Sequence, residues 1–409
     1  MLEKANYPRN KLCAGGLTAD AEFVLRSLGL DLSEVPHVDV PEVHLDFAGK
    51  GLTVALRKAH ALRIIRRDEF DAWLAEKARA AGIEIREGVT VRRVMPGVSS
   101  ALVEADAGTF EAAVVVGADG SNGVTRRSIL PNAPIHTARA LEVLFATANS
   151  EEHSDGSNPR SGVVGQSPLV ELSPSVPLSR DRGRVGPVSA GSPQAGWRQS
   201  TLERGGSMHA ADIAYFDFAP VPHGIAGYTW DFPTQLKGRP MRCWGIYDTN
   251  LLAHRQRRPL QQTLADEMQR HGASLDDLKI QGHPIRWFSP FGALSVSRVI
   301  LVGDAAGADG IFGEGISIAL GYGRIAAEAI LDAVSHDDYS FRDYHRRVLR
   351  SPLGRALTVR TAITRILYRL HWAWFQRFFW RMLKPAVLVV SFMFVLNWAR
   401  RTRRSPTRH

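Results

Sequence analysis

The sequence predicts an α/β fold with a doubly wound, Rossmann-like sheet, an antiparallel-sheet second domain and a helical C-terminal tail. Three observations lead to this prediction. Two aliphatic runs, 112–116 and 299–302, each end in small residues and an aspartate, as expected where a buried parallel strand turns into a helix. Aromatic residues recur every second position from Tyr228, which is typical of a strand with one buried face. From Gly315 onward the chain is compatible with helices.

The first third of the chain alternates between helix and strand patterns. We predict a helix over 15–30, a hairpin over 43–56 with Gly49 and Gly51 at its turn, and a helix over 68–81 ending at Gly82. Further strands are predicted at 84–86, 90–95, 101–105 and 114–116. The pattern indicates a nucleotide-binding sheet crossed by an antiparallel meander.

Residues 149–210 interrupt the predicted second sheet between strands at 140–145 and 215–218. They contain 12 Ser, 9 Gly and 6 Pro and show no sustained apolar period. Because such a segment buries too little apolar surface to order itself, we predict a disordered insertion. A local frameshift or assembly error in the sequence, and a functional lid, are the alternatives.

The turn after the run 299–302 has the chemistry that a bound flavin dinucleotide requires. Asp304 follows the strand and can accept hydrogen bonds from ribityl hydroxyls, while Gly303 allows close approach of the backbone. The free N–H groups of the following helix would stabilise negative charge on a reduced isoalloxazine. An ordinary strand-to-helix turn is the alternative for this stretch taken alone.

Five motifs in order resemble those of the geranylgeranyl reductase-like FAD-dependent oxidoreductases, a group that includes aromatic hydroxylases and flavin halogenases. They are Pro-x-x-Lys-x-Cys at 8–13, Arg-x-x-Phe-Asp at 67–71, Gly-Ala-Asp-Gly at 117–120, Tyr-x-Trp-x-Phe-Pro at 228–233, and Gly-Asp-Ala at 303–305 running on to Gly-Glu-Gly-Ile at 313–316. The resemblance covers residues 1–148 and 210–350. It departs from the family at Ala14, where glycine is usual, and at Gly310, which stands in place of a proline.

The resemblance implies a set of FAD-binding residues and a set of residues in a substrate pocket. The FAD-binding residues are Glu3, Arg67, Asp119, Gly120, Gly303, Asp304, Gly313, Glu314 and Gly315. The pocket residues are Cys13, Tyr228, Trp230 and Phe232. By period two the three aromatic residues share one strand face, where they would line a wall for an isoprenoid chain or simply fill the core. No metal site is predicted.

The chain lacks the G-x-G-x-x-G turn with which these proteins ordinarily open. Residues 1–4 resemble the end of the family's second strand, so Glu3 stands where the carboxylate that binds the adenosine ribose belongs. We therefore expect one βαβ unit to be missing upstream, on the order of 30 residues, and to be encoded in frame before Met1.

The predicted activity is reduction of prenyl-chain double bonds in a lipid or isoprenoid substrate. The first alternative is a flavin-dependent monooxygenase of the same fold, although the Trp-x-Trp-x-Ile-Pro motif of halogenases is absent. The second alternative is an inactive, membrane-associated remnant that does not bind FAD. NADPH or another compound would donate the electrons, and the sequence identifies no proton donor.

The net charge of +10 resides in the C-terminal tail. Residues 342–409 contain 16 Lys and Arg and one acid, Asp343, so the rest of the chain is acidic. The tail also holds Trp372, Trp374 and an apolar run of 13 residues at 386–398, too short for a transmembrane helix. We predict an in-plane anchor on an anionic membrane surface, with a helix cover over the second domain as the alternative. Nucleic-acid binding is not predicted.

In the helix preceding that run, five apolar residues recur at helical spacing and would face the membrane, with Arg365 and Arg369 on the opposite side. The five are Ile363, Ile366, Leu367, Leu370 and Trp374. The two cysteines, Cys13 and Cys243, indicate no disulfide framework, and no secretory signal is visible, so a cytoplasmic, peripherally bound protein is expected.

The predicted domain limits follow from these elements. The FAD-binding domain comprises 1–36, 58–135 and 296–340. The second domain comprises 37–57 and 136–295, and the basic, aromatic tail comprises 341–409.

Overall fold

The computed structural model of the chain describes residues 1–49, 51–55, 60–134, 136–146, 212–255, 257–276, 278–382 and 397–400. The predicted disordered insertion at 149–210 lies outside these residues, as does the apolar run at 386–398 up to residue 396. The described residues form a mixed α/β fold, which confirms the predicted fold class. The predicted domain limits stay a prediction.

The strands and helices follow the chain in this order. The strands are β1 Gly16–Leu17, β2 His37–Val40, β3 Glu42–Asp46, β4 Leu52–Ala55, β5 Leu62–Ile65, β6 Val91–Pro96, β7 Ala101–Ala105, β8 Gly108–Ala112, β9 Val115–Gly117, β10 Thr137–Ala146, β11 Ile213–Asp217, β12 Gly227–Leu236, β13 Arg239–Asp248, β14 Gln281–Arg286, β15 Ser295–Val296 and β16 Val299–Leu301. The helices are α1 Ala19–Ser27, α2 Arg67–Ala80, α3 Val124–Ile129, α4 Leu260–Arg270, α5 Gly303–Ala306, α6 Ile316–His336, α7 Tyr344–Arg350, α8 Pro352–Arg369 and α9 Ala373–Met382.

The largest sheet has seven strands in the order β14-β10-β13-β12-β11-β3-β4. Its neighbouring strands are antiparallel, except that β11 and β3 run parallel. The two-residue loop Lys237-Gly238 joins β12 to β13 with positive φ at both positions, the conformation that matches the twist of a hairpin. One face of this sheet packs on α4 through Val143, Trp244 and Ile246. We call the opposite face the inner face.

A second sheet, β15-β16-β9, supplies the predicted parallel strand pair. The register pairs Val299 with Val115 and Leu301 with Gly117, so β16 and β9 end side by side. The meander β6-β7-β8 forms its own antiparallel sheet, and β1, β5 and β2 form another. Leu2 makes a parallel bridge with Arg86. The two aspartate turns therefore follow the carboxyl ends of adjacent parallel strands, where α/β folds bind ligands.

The C-terminal helices are part of the core. Tyr344 of α7 donates a hydrogen bond to the carbonyl oxygen of Leu301 in β16 at 3.1 Å. Leu353 and Leu357 of α8 pack against α6, and the Trp398 ring packs against Gly321 of α6. The backbone N–H of Ala399 donates to Asp20 at 2.9 Å. These contacts bind the end of the chain to the helices behind the parallel strands.

Candidate functional site

Asp304 offers an acceptor that the protein itself does not use. It lies in the first turn of α5, after Gly303, whose φ of +55° favours glycine, and its side chain is half-buried. Within the described part of the chain, no hydrogen-bond donor contacts its carboxylate. A Cβ added to Gly315 would lie only 3.1 Å from Oδ1, so glycine is needed to keep the carboxylate reachable. This carboxylate is available to a polyhydroxylated ligand.

The glycine loop at 310–315 packs against the inner face of the large sheet. Tyr228 donates a hydrogen bond to the carbonyl oxygen of Phe312 at 2.5 Å, and Tyr247 donates to that of Gly310 at 3.1 Å. Gly313 has a φ of +67°, and an added Cβ would lie 3.0 Å from Tyr247 Cε2. Two of the sequence motifs, far apart in the chain, therefore meet here.

Glu314 is held by three donors from different elements. Its Oε1 accepts from Thr18 at 2.8 Å and from Ser317, and its Oε2 accepts from Arg360 at 2.7 Å. Burial raises the pKa of this carboxyl, but Arg360 and the three hydrogen bonds outweigh burial, so its pKa lies below the usual value. The Glu314 side chain therefore orders the loop and has little capacity left for a ligand.

Arg360 is a residue that sequence reasoning missed. It lies on α8 with 1% of its side chain exposed and also approaches Asp309 at 3.6 Å. Asp309 is fully buried and accepts from the backbone N–H groups of Ile311 and Phe312. The available signal was its spacing: Arg360 follows Ala356 and Leu357 by four and three residues, so it shares their side of the helix, and a charge on a buried side is nearly always paired.

Charged residues of the N-terminal loop and α2 form a network next to this loop. Arg67 donates two hydrogen bonds to Asp71, both 2.8 Å long. Arg9 forms ion pairs with Asp71, at 3.2 Å, and with Glu3, at 3.5 Å. Burial lowers the pKa of Lys11, and the charge of Arg67 lowers it further. Glu3 and Arg67, both predicted to bind FAD, are thus linked through Arg9 and Asp71.

Lys11 and His283 were not among the predicted site residues, and both interact electrostatically with Asp304. Burial lowers the pKa of His283, while Asp304 acts in the opposite direction. His283 lies on the inner face, in register with Ala140. Lys11 belongs to the loop motif at 8–16 and was identifiable, whereas nothing in the sequence around His283 distinguished it.

Asp119 and Gly120 lie in the turn after β9. Asp119 is exposed, and its Oδ2 accepts from the backbone N–H of Thr125 at 2.7 Å, so it caps α3. Gly120 has a φ of +82°. Since β9 and β16 are paired, this turn and the Asp304 turn leave neighbouring strands at the same edge. The role of either residue in binding FAD stays a prediction.

Tyr228, Trp230 and Phe232 share the inner face, and each is at most 5% exposed. Their neighbours are the rings of Phe216, 5.0 Å from Phe232, and of Phe312 in the glycine loop. A Cβ added to Gly245 would lie 2.1 Å from Trp230 Cζ2, so the indole covers the central strand β13. The three rings form a continuous aromatic layer beside the glycine loop.

Cys13 and Glu142 meet at the edge of this layer. The backbone N–H of Cys13 donates to Glu142 Oε1 at 3.1 Å, and Cys13 Sγ accepts from the N–H of Gly15 at 3.4 Å. Burial raises the pKa of Glu142 to about 7, although the Cys13 hydrogen bond and Arg66 lower it. Glu142 was missed, but a lone acid within the apolar run 140–145 was a visible signal.

The C-terminal half of α8 turns a polar side toward the protein. Its buried side includes Arg360, Thr361, Thr364 and Tyr368, whose hydroxyl donates to the carbonyl oxygen of Ile311 at 3.1 Å. Thr361 also donates to a loop carbonyl, that of Phe288, whereas Arg360 binds the Glu314 carboxylate and Thr364 donates to the carbonyl oxygen of Arg360 in its own helix. Ile366, from the predicted apolar stripe, is 62% exposed.

Beyond α8, helix α9 has one buried and one exposed apolar side. Trp380 is 4% exposed and stacks near Phe218, with ring centroids 4.9 Å apart, so α9 covers the end of the aromatic layer. Trp372, Trp374, Phe378 and Met382 are between 49% and 67% exposed. We call these four residues, with Ile366, the exposed apolar surface.

Other features of the described residues lie apart from this site. A surface cavity of about 520 Å³ lies beside α4, and its lining includes Arg258, Asp266 and Arg270, which do not suit an apolar ligand. Among the described residues no cluster of His, Cys, Asp and Glu is arranged to hold a metal ion. None of the described helices has both the length and the apolar character needed to cross a bilayer.

Comparison with known proteins relates this geometry to flavoprotein structures. No family model matches the chain. An uncharacterized protein of Methanosarcina barkeri is 26% identical over 351 residues, which cover 86% of this chain and 72% of that protein. A geranylgeranyl bacteriochlorophyll reductase-like protein from Thermoplasma acidophilum superposes with a TM-score of 0.67 at 17% identity, covering 98% of this chain and 91% of the other.

Flavin enzymes of another activity share the fold. The halogenase PltM aligns with a TM-score of 0.60 at 12% identity over 98% of this chain and 78% of its own. The flavin-dependent brominase Bmp2 aligns with a TM-score of 0.59 at 17% identity, over 96% and 86%. The chain thus has the fold of the geranylgeranyl reductase-like and flavin halogenase structures, the group that its motifs resemble.

Proposed function

We propose that this chain is a FAD-dependent oxidoreductase that reduces double bonds in the isoprenoid chain of a lipid. The observation that carries the proposal is the junction of the glycine loop with the aromatic layer. The Asp304 carboxylate, which accepts no hydrogen bond from the described residues, lies next to Gly315 of the loop, and Tyr228 of the aromatic layer donates to the loop carbonyl of Phe312. One continuous site would therefore hold a polar cofactor next to an apolar chain.

The residues around Asp304 fit FAD by their chemistry. Asp304 would accept hydrogen bonds from ribityl hydroxyls, and the backbone at Gly303, Gly313 and Gly315 would approach the ring system. Lys11 would place positive charge near a reduced, anionic flavin. Glu3, Arg67, Asp119 and Gly120 would contact the remainder of the dinucleotide, with Glu314 acting through the loop it orders. When bound, FAD would supply the hydride chemistry.

The aromatic layer supports an isoprenoid substrate. Tyr228, Trp230 and Phe232 present flat apolar surfaces that suit the methyl-branched, unsaturated units of a prenyl chain. Because they are nearly fully buried, a chain would reach them only when elements packed on them move, and α9 is one such element, since its Trp380 packs on Phe218, which contacts Tyr228. The geranylgeranyl reductase-like name of one structural neighbour supports the same substrate class.

The mass of the product tests the proposal against its main alternative. FAD-loaded protein would be incubated with a geranylgeranyl lipid and either NADPH or dithionite as the electron donor. Reduction adds two hydrogens per double bond, whereas the monooxygenase activity that the halogenase-like fold also permits adds one oxygen. An oxygenated product would refute the reductase assignment.

The colour of the purified protein tests the cofactor. A bound oxidised flavin absorbs at about 450 nm. A protein that stays colourless after incubation with FAD would favour the second alternative, an inactive membrane-associated remnant that does not bind FAD.

The exposed apolar surface supports peripheral association with an anionic membrane. It lies among Arg365, Arg369, Arg377 and Arg381, so apolar contact and attraction to anionic headgroups would act together. The same helix, α9, covers the aromatic layer. A prenyl chain would then pass from the bilayer to the site beneath α9, on the cytoplasmic side of the membrane.

A further inference from the structure

We propose that Glu142 is the catalytic acid that protonates the substrate double bond. The role rests on the proposed reductase function, which needs a proton as well as a hydride. None of the five sequence motifs contains this residue.

The strand register places Glu142 in the wall of the proposed substrate site. Glu142 of β10 is opposite Gly245 of β13, which is opposite Trp230 of β12. Directly opposed residues point to the same face of a sheet, so Glu142 and Trp230 flank Gly245 on the inner face. Since the Trp230 indole covers Gly245, its ring lies toward Glu142. The Glu142 side chain is half-buried.

The other carboxylates on this sheet occupy the opposite face. Among the described strand residues, the register assigns Glu42, Asp46, Asp217, Asp231 and Asp248 to the outer side. Asp231 is paired with Arg242 at 2.7 Å, and Asp248 with Arg257 at 2.8 Å. Glu142 lies in the aromatic wall, and no arginine of the described residues is within salt-bridge distance of it. A carboxyl in such a place is unfavourable when ionised and suited to carrying a proton.

The groups that face Glu142 come from three elements. Cys13, on the N-terminal loop, donates its backbone N–H to Oε1, which leaves Oε2 to carry the proton. Cys243 of β13 and Arg66, just before α2, interact with it electrostatically. Burial outweighs the Cys13 hydrogen bond and the Arg66 charge, and raises the pKa of Glu142 to about 7. The carboxyl is then protonated in slightly acidic solution and still able to release the proton.

The step balances with reduced flavin as the reductant. A bound, reduced FAD would supply a hydride to one alkene carbon as the π bond breaks, and Glu142 Oε2 would give its proton to the other carbon. Two C–H bonds form, the prenyl unit is reduced by two electrons and FAD is oxidised. Water reprotonates the Glu142 carboxylate before the next turnover.

The test uses Glu142→Gln and Asp217→Asn as a matched pair. Glutamine keeps an oxygen for the Cys13 N–H but carries no acidic proton. Asp217 lies on the outer face, its pKa is likewise raised to about 7 by burial, and asparagine can still accept from Ala219. In the folded wild type each acid becomes ionised, at a cost in stability, as the pH rises above about 7, so the stability of each variant relative to wild type should be greater at pH 8 than at pH 5. Only Glu142→Gln should change the chemistry.

The measurement is turnover of a geranylgeranyl lipid by FAD-loaded protein across pH 5–9, together with flavin content and unfolding. For wild type we expect kcat to fall above a pH of about 7, because the acid must be protonated. Glu142→Gln should lose that pH dependence and roughly 10²–10⁴-fold in kcat, with unchanged flavin content. Asp217→Asn should retain the wild-type profile.

Three results would overturn the proposal. They are a wild-type profile without a decline near pH 7, a Glu142→Gln variant that turns over at the wild-type rate, and an equal loss in both variants. The pH dependence of kcat in the wild type still tests the role of Glu142 if Glu142→Gln does not fold. A wild-type protein that binds FAD but saturates no prenyl chain refutes the reductase function itself, and this role of Glu142 with it.

Discussion

At the scale of single residues, the position of Asp304 separates a ligand site from an ordinary turn. Many aspartates after strands cap the next helix, as Asp119 does by accepting from Thr125. Asp304 makes no such bond within the described structure, although it is half-buried. Its carboxylate oxygens therefore keep their capacity to accept hydrogen bonds, which a bound polyhydroxylated ligand would use.

Asp304→Ala should weaken FAD binding by about 1–3 kcal/mol, or roughly 5- to 150-fold in Kd, because charged hydrogen bonds to the ligand are lost. Titration of the flavin-free protein with FAD, followed by absorbance, measures the change. Glu328→Gln on α6, an exposed ion-pair partner of Arg324, serves as the control. Equal affinity of Asp304→Ala and wild type would remove Asp304 from the site.

At the scale of elements, α8 stabilises the glycine loop from behind. Arg360 binds Glu314, and Tyr368 binds the carbonyl oxygen of Ile311. The aromatic layer holds the same loop from the front through Tyr228 and Tyr247. The loop is thus clamped between a helix of the tail and the large sheet, which keeps its glycine backbone in the required conformation.

Arg360→Met should destabilise the fold by roughly 3–5 kcal/mol, because Glu314 and Asp309 are left as buried carboxylates without a cation. It should also reduce flavin content, since the loop loses its support. Arg369→Met, at an exposed position of the same helix, should change stability by less than about 0.5 kcal/mol. Urea unfolding measures the free energy of unfolding of the two variants. Similar values would contradict a stabilising role for the ion pairs of Arg360 with Glu314 and Asp309.

Two glycines on α6 provide a second comparison. A Cβ at Gly321 would lie 2.4 Å from Trp398 Cη2, whereas nothing lies within 4 Å of one at Gly323. We expect Gly321→Ala to destabilise by about 1–3 kcal/mol and Gly323→Ala to stabilise by about 0.5–1 kcal/mol. Opposite shifts in thermal unfolding would verify that Trp398 is seated on α6; two stabilised variants would mean that it is not.

At the scale of the whole molecule, charge and exposed apolar area coincide on the C-terminal helices. The protein outside residues 342–409 has an excess of acidic residues, so attraction to an anionic surface would orient these helices toward it. This surface adjoins the aromatic layer through α9. Membrane binding and substrate access would therefore involve the same element.

The Trp374→Ala/Phe378→Ala variant should bind phosphatidylglycerol vesicles roughly 10- to 100-fold more weakly than wild type, because two partly buried aromatic side chains are lost. Added salt should weaken vesicle binding of the wild type and of the double variant, because it screens the attraction between the arginines and the anionic headgroups. Co-sedimentation measures the bound fraction. Phe291→Ala, at a site 84% exposed elsewhere, should bind normally. Equal binding of all three proteins would exclude this surface.

Several elements and the outline of the site were predictable because their signals are local. The helix over 68–81 and the strand at 101–105 match α2 and β7, since apolar spacing and a terminal glycine specify them. The glycine turn at 303–315 and the aromatic motif at 228–233 were recognisable by residue type alone. Arg360, His283 and Glu142 were not assigned, because their positions in the site arise from hydrogen bonds or strand pairing with residues 46 to 143 positions away in the sequence.

By itself the sequence determined the fold class, the strand-to-helix turns and the period that places Tyr228, Trp230 and Phe232 on one face. Such features depend on neighbours within a few positions along the chain. Only the tertiary structure decided that α8 turns its polar stripe inward and that the glycine loop meets the aromatic layer. It also decided that Glu142 opposes Gly245 beside Trp230. Strand pairing and helix docking set these relations, because hydrogen-bond register and burial of charge depend on contacts between distant segments.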